Sequence, residues 1–385
     1  MTDKTVKDKV LVLACEDYNL ELIKEKIKAA FKPLGGLENF VDCNQKVLLK
    51  PNLLMAKKPE AGITTHPAVV QAVAELVIEL GAEVIIGDSP GGPFNKTVMK
   101  RVYQKTGMAK VADNTTAKLN WNFANHTKNT TTTKILNNLT IGEFIAEADI
   151  IINLPKFKTH GLTKMTGGVK NMFGAIPGLL KAEYHMKMPE IDNFSDVLLD
   201  VALATKPQLT IVDAITAMEG EGPSSGDKYD LNRLLIGANP LAVDVVMADM
   251  VGVKPEAVAT IAAAKRRNLV HNINQIDYLG LETKLNEFET PTIDSSAQLL
   301  DRRLPGFLAH WVRKLVKPKP VFDEQQCIQC GACITGCPPQ VISKTETGVE
   351  ADLDNCIRCF CCQELCPADA VDIHRPWLGK LLFAK

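Results

Sequence analysis

The chain has 385 residues, of which 46% are apolar and 23% charged, with 44 lysines and arginines against 45 acids. Such proportions belong to an average soluble protein of two or three domains, and they exclude a coiled coil, a fibrous repeat and wholesale disorder. The formal net charge of −1 gives no global attraction for nucleic acid or a membrane surface.

The first residues, MTDKTVKDKV, alternate charges and enter an apolar run at 11–14 that is too short for the core of a signal peptide. No stretch of 18 uncharged apolar residues follows, so no integral membrane segment is expected. Asn-x-Thr triplets at Asn95, Asn114, Asn125, Asn129 and Asn138 read as polar loop sequence in a chain without an export signal, and the expected location is cytoplasmic.

From residue 9 onward, short β-branched runs alternate with helical stretches. A strand is predicted at 9–14, a helix at 20–31, a strand at 46–50, and an amphipathic helix at 67–80. That helix places Val69, Val73, Leu76 and Leu80 on one face, starts after Thr64-Thr65 with an early proline, and stops at Gly81. Strands follow at 83–87, 149–154, 209–212 and 234–236, the last leading to a helix that opens at Asn239-Pro240. The alternation predicts an α/β fold over residues 1–297, with a mostly parallel sheet flanked by helices. Residues 106–138, rich in Asn and Thr, read as an irregular insertion. Cys15 and Cys43 flank predicted strands and are expected as small core residues.

The polar groups of this region gather at predicted strand ends, where open α/β sheets bind ligands. After strand 149–154 comes Pro155-Lys156-Phe157-Lys158-Thr159-His160-Gly161, then Lys164, Gly167-Gly168 and Lys170-Asn171. Residues 151–188 hold six lysines and two histidines against one acid, Glu183. Read as a basic loop at a strand end, this is a site for a phosphate, carboxylate or nucleotide: lysine supplies charge, and glycine lets backbone N–H groups approach an anion. A solvated basic loop is the alternative. Lys50, Asn52, His66, Asp88 and Ser89 sit at neighbouring strand or helix ends and complete the candidate set Lys156, Lys158, His160, Lys170, Asn171. His66 at a helix start is either a ligand-facing group or a cap. Asp213, Glu219 and Glu221 are either ligands for a hard cation or an acidic turn. Gly87-Asp88-Ser89-Pro90-Gly91-Gly92 fits neither a dinucleotide fingerprint nor a Walker loop.

Residues 298–320 read as a connector: an apolar and basic helix over 299–317, then the stiff spacer Lys317-Pro318-Lys319-Pro320. Its predicted role is to dock a third segment, 321–375, with a membrane-surface role as the alternative. The tail 376–385 is again apolar and basic.

Segment 321–375 holds nine of the eleven cysteines. Cys327-Ile-Gln-Cys330-Gly-Ala-Cys333-Ile-Thr-Gly-Cys337-Pro338 is a C-x2-C-x2-C-x3-C-P run, and Cys356-Ile-Arg-Cys359-Phe-Cys361-Cys362-Gln-Glu-Leu-Cys366-Pro367 repeats it with one added cysteine. Two such runs mark a small α+β ferredoxin-like domain holding two 4Fe-4S clusters, in which the fourth cysteine of each run crosses to the other cluster. The predicted sets are Cys327, Cys330, Cys333 with Cys366, and Cys356, Cys359, Cys362 with Cys337. Zinc knuckles would pair two C-x2-C units across a longer gap and often include histidine. Cys361 completes neither set and reads as a buried bystander.

Lys50-Pro-Asn52, Thr64-Thr-His66-Pro67, Gly87-Asp-Ser-Pro-Gly-Gly92, Asn153-Leu-Pro-Lys-Phe-Lys-Thr-His160, Gly168-Val-Lys-Asn171, Asp213-Ala-Ile and Asn239-Pro-Leu-Ala-Val-Asp244 together resemble the family called domain of unknown function 362. The resemblance spans about residues 8–290 and the ferredoxin-like segment. It implies an iron–sulfur protein of a kind common in anaerobes, with no settled reaction for the large domain.

The expected function is electron transfer through two 4Fe-4S clusters, to or from a redox partner protein or a ligand of the α/β domain. The alternative is a ferredoxin-fused oxidoreductase acting on an anionic substrate or further anionic cofactor at residues 156–171. A weaker alternative is a cofactor or cluster maturation factor. No nucleic-acid partner is expected, and self-association stays open.

Overall fold

Helix starts in this chain are set by short polar caps. Asn19 Oδ1 accepts from Leu22 N, Asn95 Oδ1 from Val98 N and Asn239 Oδ1 from Leu241 N, each satisfying a first-turn donor that has no intrahelical partner. The computed structural model describes residues 8–270, 273–280, 288–291, 318–374 and 376. The connector helix predicted at 299–317 and the tail beyond Pro376 lie outside the described residues.

The strands run β1 (Lys9–Ala14), β2 (Lys46–Pro51), β3 (Glu83–Ile86), β4 (Lys118–Leu119), β5 (Asn125–Asn129), β6 (Asn138–Gly142), β7 (Ile150–Leu154), β8 (Lys156–His160), β9 (Lys164–Thr166), β10 (Leu209–Glu219), β11 (Asp227–Gly237) and β12 (Asp277–Gly280). Ten of them form one sheet in the order β12-β1-β11-β10-β7-β2-β3-β4, with β8 joining β10 and β9 joining β8. The pairs β2–β3, β2–β7, β3–β4, β7–β10, β8–β10 and β1–β12 are parallel; β1–β11, β10–β11 and β8–β9 are antiparallel. The mostly parallel sheet expected from the βα alternation is present.

Strand alternation divides the core between two faces. Val47 and Leu49 point to the cluster formed with helices Leu20–Phe31 and Pro67–Glu79, whereas Leu48 points to the cluster formed with helix Ile191–Thr205. Helix Pro240–Met250 covers Val10, Val12, Val212 and Leu235 on that second face. Both faces are closed, as a parallel sheet requires.

Three expectations change. The insertion at 106–138 is ordered: it contains helix Met108–Asn114, edge strand β4 and the β5–β6 hairpin. The Asn and Thr residues of β5 are exposed, so no apolar period marks the hairpin. The segment 156–160 is a strand, not a loop: after Pro155 the chain continues along β10, with Asp213 N donating to Pro155 O at 2.9 Å. Lys-Phe-Lys-Thr-His has the period of two that a strand needs, and the charges hid it. Cys15 is buried as expected, but Cys43 is exposed.

In the C-terminal segment β13 (Lys319–Phe322) pairs with β16 (Val371–His374), and β14 (Ile342–Lys344) with β15 (Val349–Ala351). The two cysteine runs repeat one backbone course. Gln329 and Arg358, Gly331 and Phe360, and Gln340 and Asp369 occupy equivalent places in the two runs, and all six are left-handed, with φ between 52° and 73°. Short helices Ala332–Thr335 and Cys361–Glu364 follow at matching positions.

This segment packs on the α/β domain through three contacts. Leu365 lies against Gly91, where an added Cβ would stand 2.8 Å from it, and is backed by Gly336 of its own segment, where a Cβ would collide with it. Lys57 Nζ meets Asp369 Oδ2 at 2.5 Å, and His160 Nε2 lies 3.2 Å from Glu364 Oε1.

Candidate functional site

The eight cysteines of the two predicted sets separate into two cavities. Cys327, Cys330, Cys333 and Cys366 line one of about 350 Å³, and Cys337, Cys356, Cys359 and Cys362 line another of about 330 Å³. None of the eight is paired in a disulfide. Burial, followed by the proximity of Cys366, raises the Cys333 thiol; Cys337 is raised by burial and, among other cysteines, by Cys359. Burial, Cys359 and Cys356 raise Cys362. Such mutual crowding of sulfur atoms is relieved when a metal takes the thiolates. Backbone N–H groups aim at the sulfurs as well: Ala370 N donates to Cys366 Sγ at 3.2 Å and Arg358 N to Cys356 Sγ at 3.4 Å. Among the described residues no three His, Cys, Asp or Glu side chains converge on a point for a single metal ion. The two four-thiol cavities suit a polynuclear cluster.

In the α/β domain, β8 puts Lys156, Lys158 and His160 on one face and Phe157 in the core behind them. Lys156 is locked. Its Nζ donates to Asp213 Oδ2 at 2.9 Å and to Tyr18 Oη at 2.7 Å, and Tyr18 Oη donates to Asp213 Oδ1 at 3.0 Å. His66 joins through its backbone, His66 N donating to Asp213 Oδ2 at 2.8 Å, and its ring stacks on Tyr18 at 3.6 Å. Its Nδ1 accepts from Ala68 N, so His66 is the helix cap. Burial outweighs Asp213 and lowers the His66 pKa to about 4. Asp213 is thus occupied by Lys156, Tyr18 and His66 and is not available to a hard cation; Glu219 accepts from Glu289 N at 2.8 Å.

Next to this network, Lys158 Nζ donates to Asn52 Oδ1 at 3.1 Å and to the Ile63 carbonyl at 2.8 Å. Asn52 Nδ2 donates to Asn171 Oδ1, and Asn171 Nδ2 donates to Asn153 Oδ1 and to the Lys50 carbonyl. Lys50 Nζ and Asp88 Oδ1 form a buried ion pair at 2.7 Å. Gly174 is required beside it, because any Cβ there would strike both Asp88 and Lys50. Burial is the main influence on every one of these amines: it lowers Lys50 and Lys156 against their carboxylates, and brings Lys158 to about 7 with help from Lys170.

A cavity of about 740 Å³ opens where these groups meet the C-terminal segment. Asn52, Asp88, Ser89, Lys170 and Asn171 line it from one side, Gly336, Cys361, Glu364 and Leu365 from the other. His160 Nδ1 accepts from the Leu162 and Thr163 N–H groups, which leaves the proton on Nε2, toward Glu364. Burial lowers His160 to about 4, so it is neutral at pH 7. Burial works to raise Glu364, but His160, Lys170 and His185 prevail and hold it near 2.

The structure therefore brings Asn52, Asp88, Ser89, Lys170 and Asn171 to one cavity, keeps Lys158 and His160 just behind it, and retires Lys50, Lys156 and His66 into internal contacts. Sequence reasoning missed Tyr18, Lys181, His185 and Glu364. Lys181 donates to Ser89 Oγ and to the Pro90 and Ile176 carbonyls, and His185 stacks on Phe194 at 4.1 Å. Both belong to the basic stretch 151–188, whose charge excess was the available signal. Glu364 lay unmarked inside a cysteine motif.

Residues 47–249 match the family described as Domain of unknown function (DUF362), and residues 319–367 match a 4Fe-4S dicluster domain. A thylakoid-associated protein of Synechocystis sp. is 34% identical over 264 residues, 68% of this chain and 79% of that protein. The pyruvate synthase subunit PorD of Methanothermobacter marburgensis is 40% identical over 57 residues, 15% of this chain and 67% of that subunit. Among solved structures, the lactate racemase apoprotein of Thermoanaerobacterium thermosaccharolyticum matches with a TM-score of 0.37 at 13% identity, over 62% of this chain and 56% of that one. No helix among the described residues is long and apolar enough to cross a membrane.

Proposed function

We propose an electron-transfer role for this chain, which belongs to the DUF362 family and carries a 4Fe-4S ferredoxin domain at its C-terminal end. In this reading Cys327, Cys330, Cys333 and Cys366 hold one 4Fe-4S cluster, and Cys356, Cys359, Cys362 and Cys337 hold a second. The observation that supports it is the sorting of the eight cysteines into two four-thiol cavities, each taking three from one run and one from the other. Bound clusters supply one-electron transfer at a potential tuned by hydrogen bonds and exposure. The chain's own part is to hold the thiolates, to donate to Cys366 and Cys356 from backbone N–H groups, and to exclude water with Ile342, Val349 and Val371.

The chain divides, in the same reading, into an α/β domain over 1–297, a connector over 298–320, the ferredoxin domain over 321–375 and a tail. The electrons pass between a redox partner protein and a ligand on the α/β domain. Native mass spectrometry of anaerobically purified protein tests the account: a mass excess for two clusters, about eight iron atoms, is expected. Cys330→Ser then loses or converts one cluster while the α/β domain stays folded. Retention of both clusters unchanged contradicts the assignment.

The 740 Å³ cavity favours a second reading, an oxidoreductase that binds an anionic substrate or cofactor beside the clusters. Additional bound mass, or absorption foreign to iron–sulfur clusters, decides for it.

A further inference from the structure

The cavity between the two domains contains a cation without a partner. The neighbouring amines are all engaged: Lys50 by Asp88, Lys156 by Asp213 and Tyr18, Lys158 by Asn52 and the Ile63 carbonyl, and Lys181 by three oxygens. Lys170 lines the cavity, and its Nζ makes no hydrogen bond or ion pair with any of the described residues. Of the two carboxylates of the lining, Asp88 is neutralised by Lys50, while Glu364 keeps its charge beside a neutral His160 and acts on Lys170 across the cavity. Asp88 is paired with Lys50 and also accepts from Leu53 N at 2.8 Å, and Glu364 faces His160. His160 and His185 are neutral, so neither adds nor competes for charge. What remains is a lysine excess: Lys50, Lys170 and Lys181 stand around two carboxylates, Asp88 and Glu364, and Lys170, half-buried at the cavity, is the one of the three with no hydrogen bond or ion pair among the described residues, a favourable place for an anion.

The rest of the lining limits what the anion is attached to. Phe173, Leu54, Leu365 and Ala182 give apolar walls, and Leu179 stands at the cavity 41% exposed, so apolar surface is left uncovered beside the charge. The fourth wall comes from the ferredoxin domain. Cys361 is buried in it and stands next in sequence to Cys362, one of the proposed ligands of the second cluster.

Resting on the electron-transfer reading above, we propose that this cavity binds a small molecule whose oxyanion group, carboxylate or phosphate, sits on the Lys170 ammonium. Its apolar body lies against Phe173, Leu179 and Leu365. Cys361 is then no bystander: next in sequence to Cys362, it forms the wall of the cavity that stands toward the second cluster. No proposed ligand of either cluster lines the cavity; its one cysteine, Cys361, adjoins Cys362 and so links it to the second cluster.

The test uses the cluster-loaded full chain. Reduced protein is titrated with inorganic phosphate, acetate and hexanoate while the electron paramagnetic resonance spectrum and the heat of binding are followed. Saturable binding of phosphate, or of the carboxylates with affinity rising about tenfold or more from acetate to hexanoate as methylenes are buried, is expected and tells the two head groups apart. Binding shifts the signal of one cluster only, the one lost in Cys359→Ser. Lys170→Met abolishes both the heat and the shift with iron content unchanged, Lys170→Arg restores them in part, and Lys187→Met on the outer surface leaves them intact. Cys361→Ala keeps its iron but weakens binding of every probe, since a wall of the cavity is cut back. No saturable binding of any probe, binding unchanged in Lys170→Met, or iron loss in Cys361→Ala overturns the proposal. Failure of the electron-transfer reading itself shows separately, as missing iron in the unaltered chain.

Discussion

Lys156 and Lys170 stand a few residues apart in one basic stretch, and the fold gives them opposite fates. Burial depresses both amines. Lys156 is compensated by Asp213 at 2.9 Å and by Tyr18, and the network is sealed. Lys170 faces a chamber, is half-buried, and makes no hydrogen bond or ion pair among the described residues; Glu364 acts on it only across the cavity. A buried cation with its counter-ion at hydrogen-bond distance supports the architecture; one that only lines a cavity is placed to meet a ligand. Charge density alone, which both share, does not separate the two.

The comparison is broken most forcefully through stability. Lys156→Met leaves the fully buried Asp213 carboxylate without its counter-ion, a loss of about 3–5 kcal/mol, whereas Lys170→Met removes a half-buried charge that meets Glu364 only across the cavity and costs no more than about 1 kcal/mol. Equal destabilisation by the two variants, measured by chemical denaturation, ends the distinction. Iron content sharpens it on the ferredoxin side. Cys359→Ser is expected to lose about half of the iron, while Cys361→Ala keeps all of it; an iron assay on both variants decides.

Lys158 lies between the two cases and makes pH the third probe. It is surrounded by Lys156, Lys170, His160, Glu364 and Asp88, and burial, followed by Lys170, brings it to about 7 from 10.5. Below pH 7 folded and unfolded chains both hold the proton, and the contribution is flat. Between 7 and 10.5 only the unfolded chain holds it, so stability rises with pH through that window and levels off above. Lys181 adds in the same direction. Denaturation midpoints across the window are expected to climb less in Lys158→Met than in the unaltered chain; an identical slope would falsify the assignment. The smallest effect belongs to Lys57→Ala. Its pair with Asp369 is half in solvent, so no more than about 1 kcal/mol is at stake, and the ferredoxin domain stays seated because Leu365 still fills the space over Gly91 and Gly336.

Much of this was legible beforehand, and the reason is distance along the chain. A ferredoxin domain is written in cysteine spacings of two or three residues, so it could be read without a fold. The helices 20–31 and 67–79 were equally local, fixed by caps and an apolar face. The sorting of the lysines was not, because Asp213 is 57 residues from Lys156 in sequence. The lower wall of the cavity comes from residues 361–365, at the other end of the chain, and nothing in the basic stretch announces them. Strand β8 was mistaken for a loop since its alternating residues are lysines and a histidine, polar groups buried on the face where a strand normally places apolar ones.

The central claim is that electrons pass through two clusters in this chain. The most direct measurement is a reductive titration of the anaerobically purified full-length protein, followed by electron paramagnetic resonance. The account predicts uptake of about two electrons per chain, one for each 4Fe-4S cluster, with two interacting signals at full reduction. Uptake of one electron, or of none with zinc in place of iron, would contradict it.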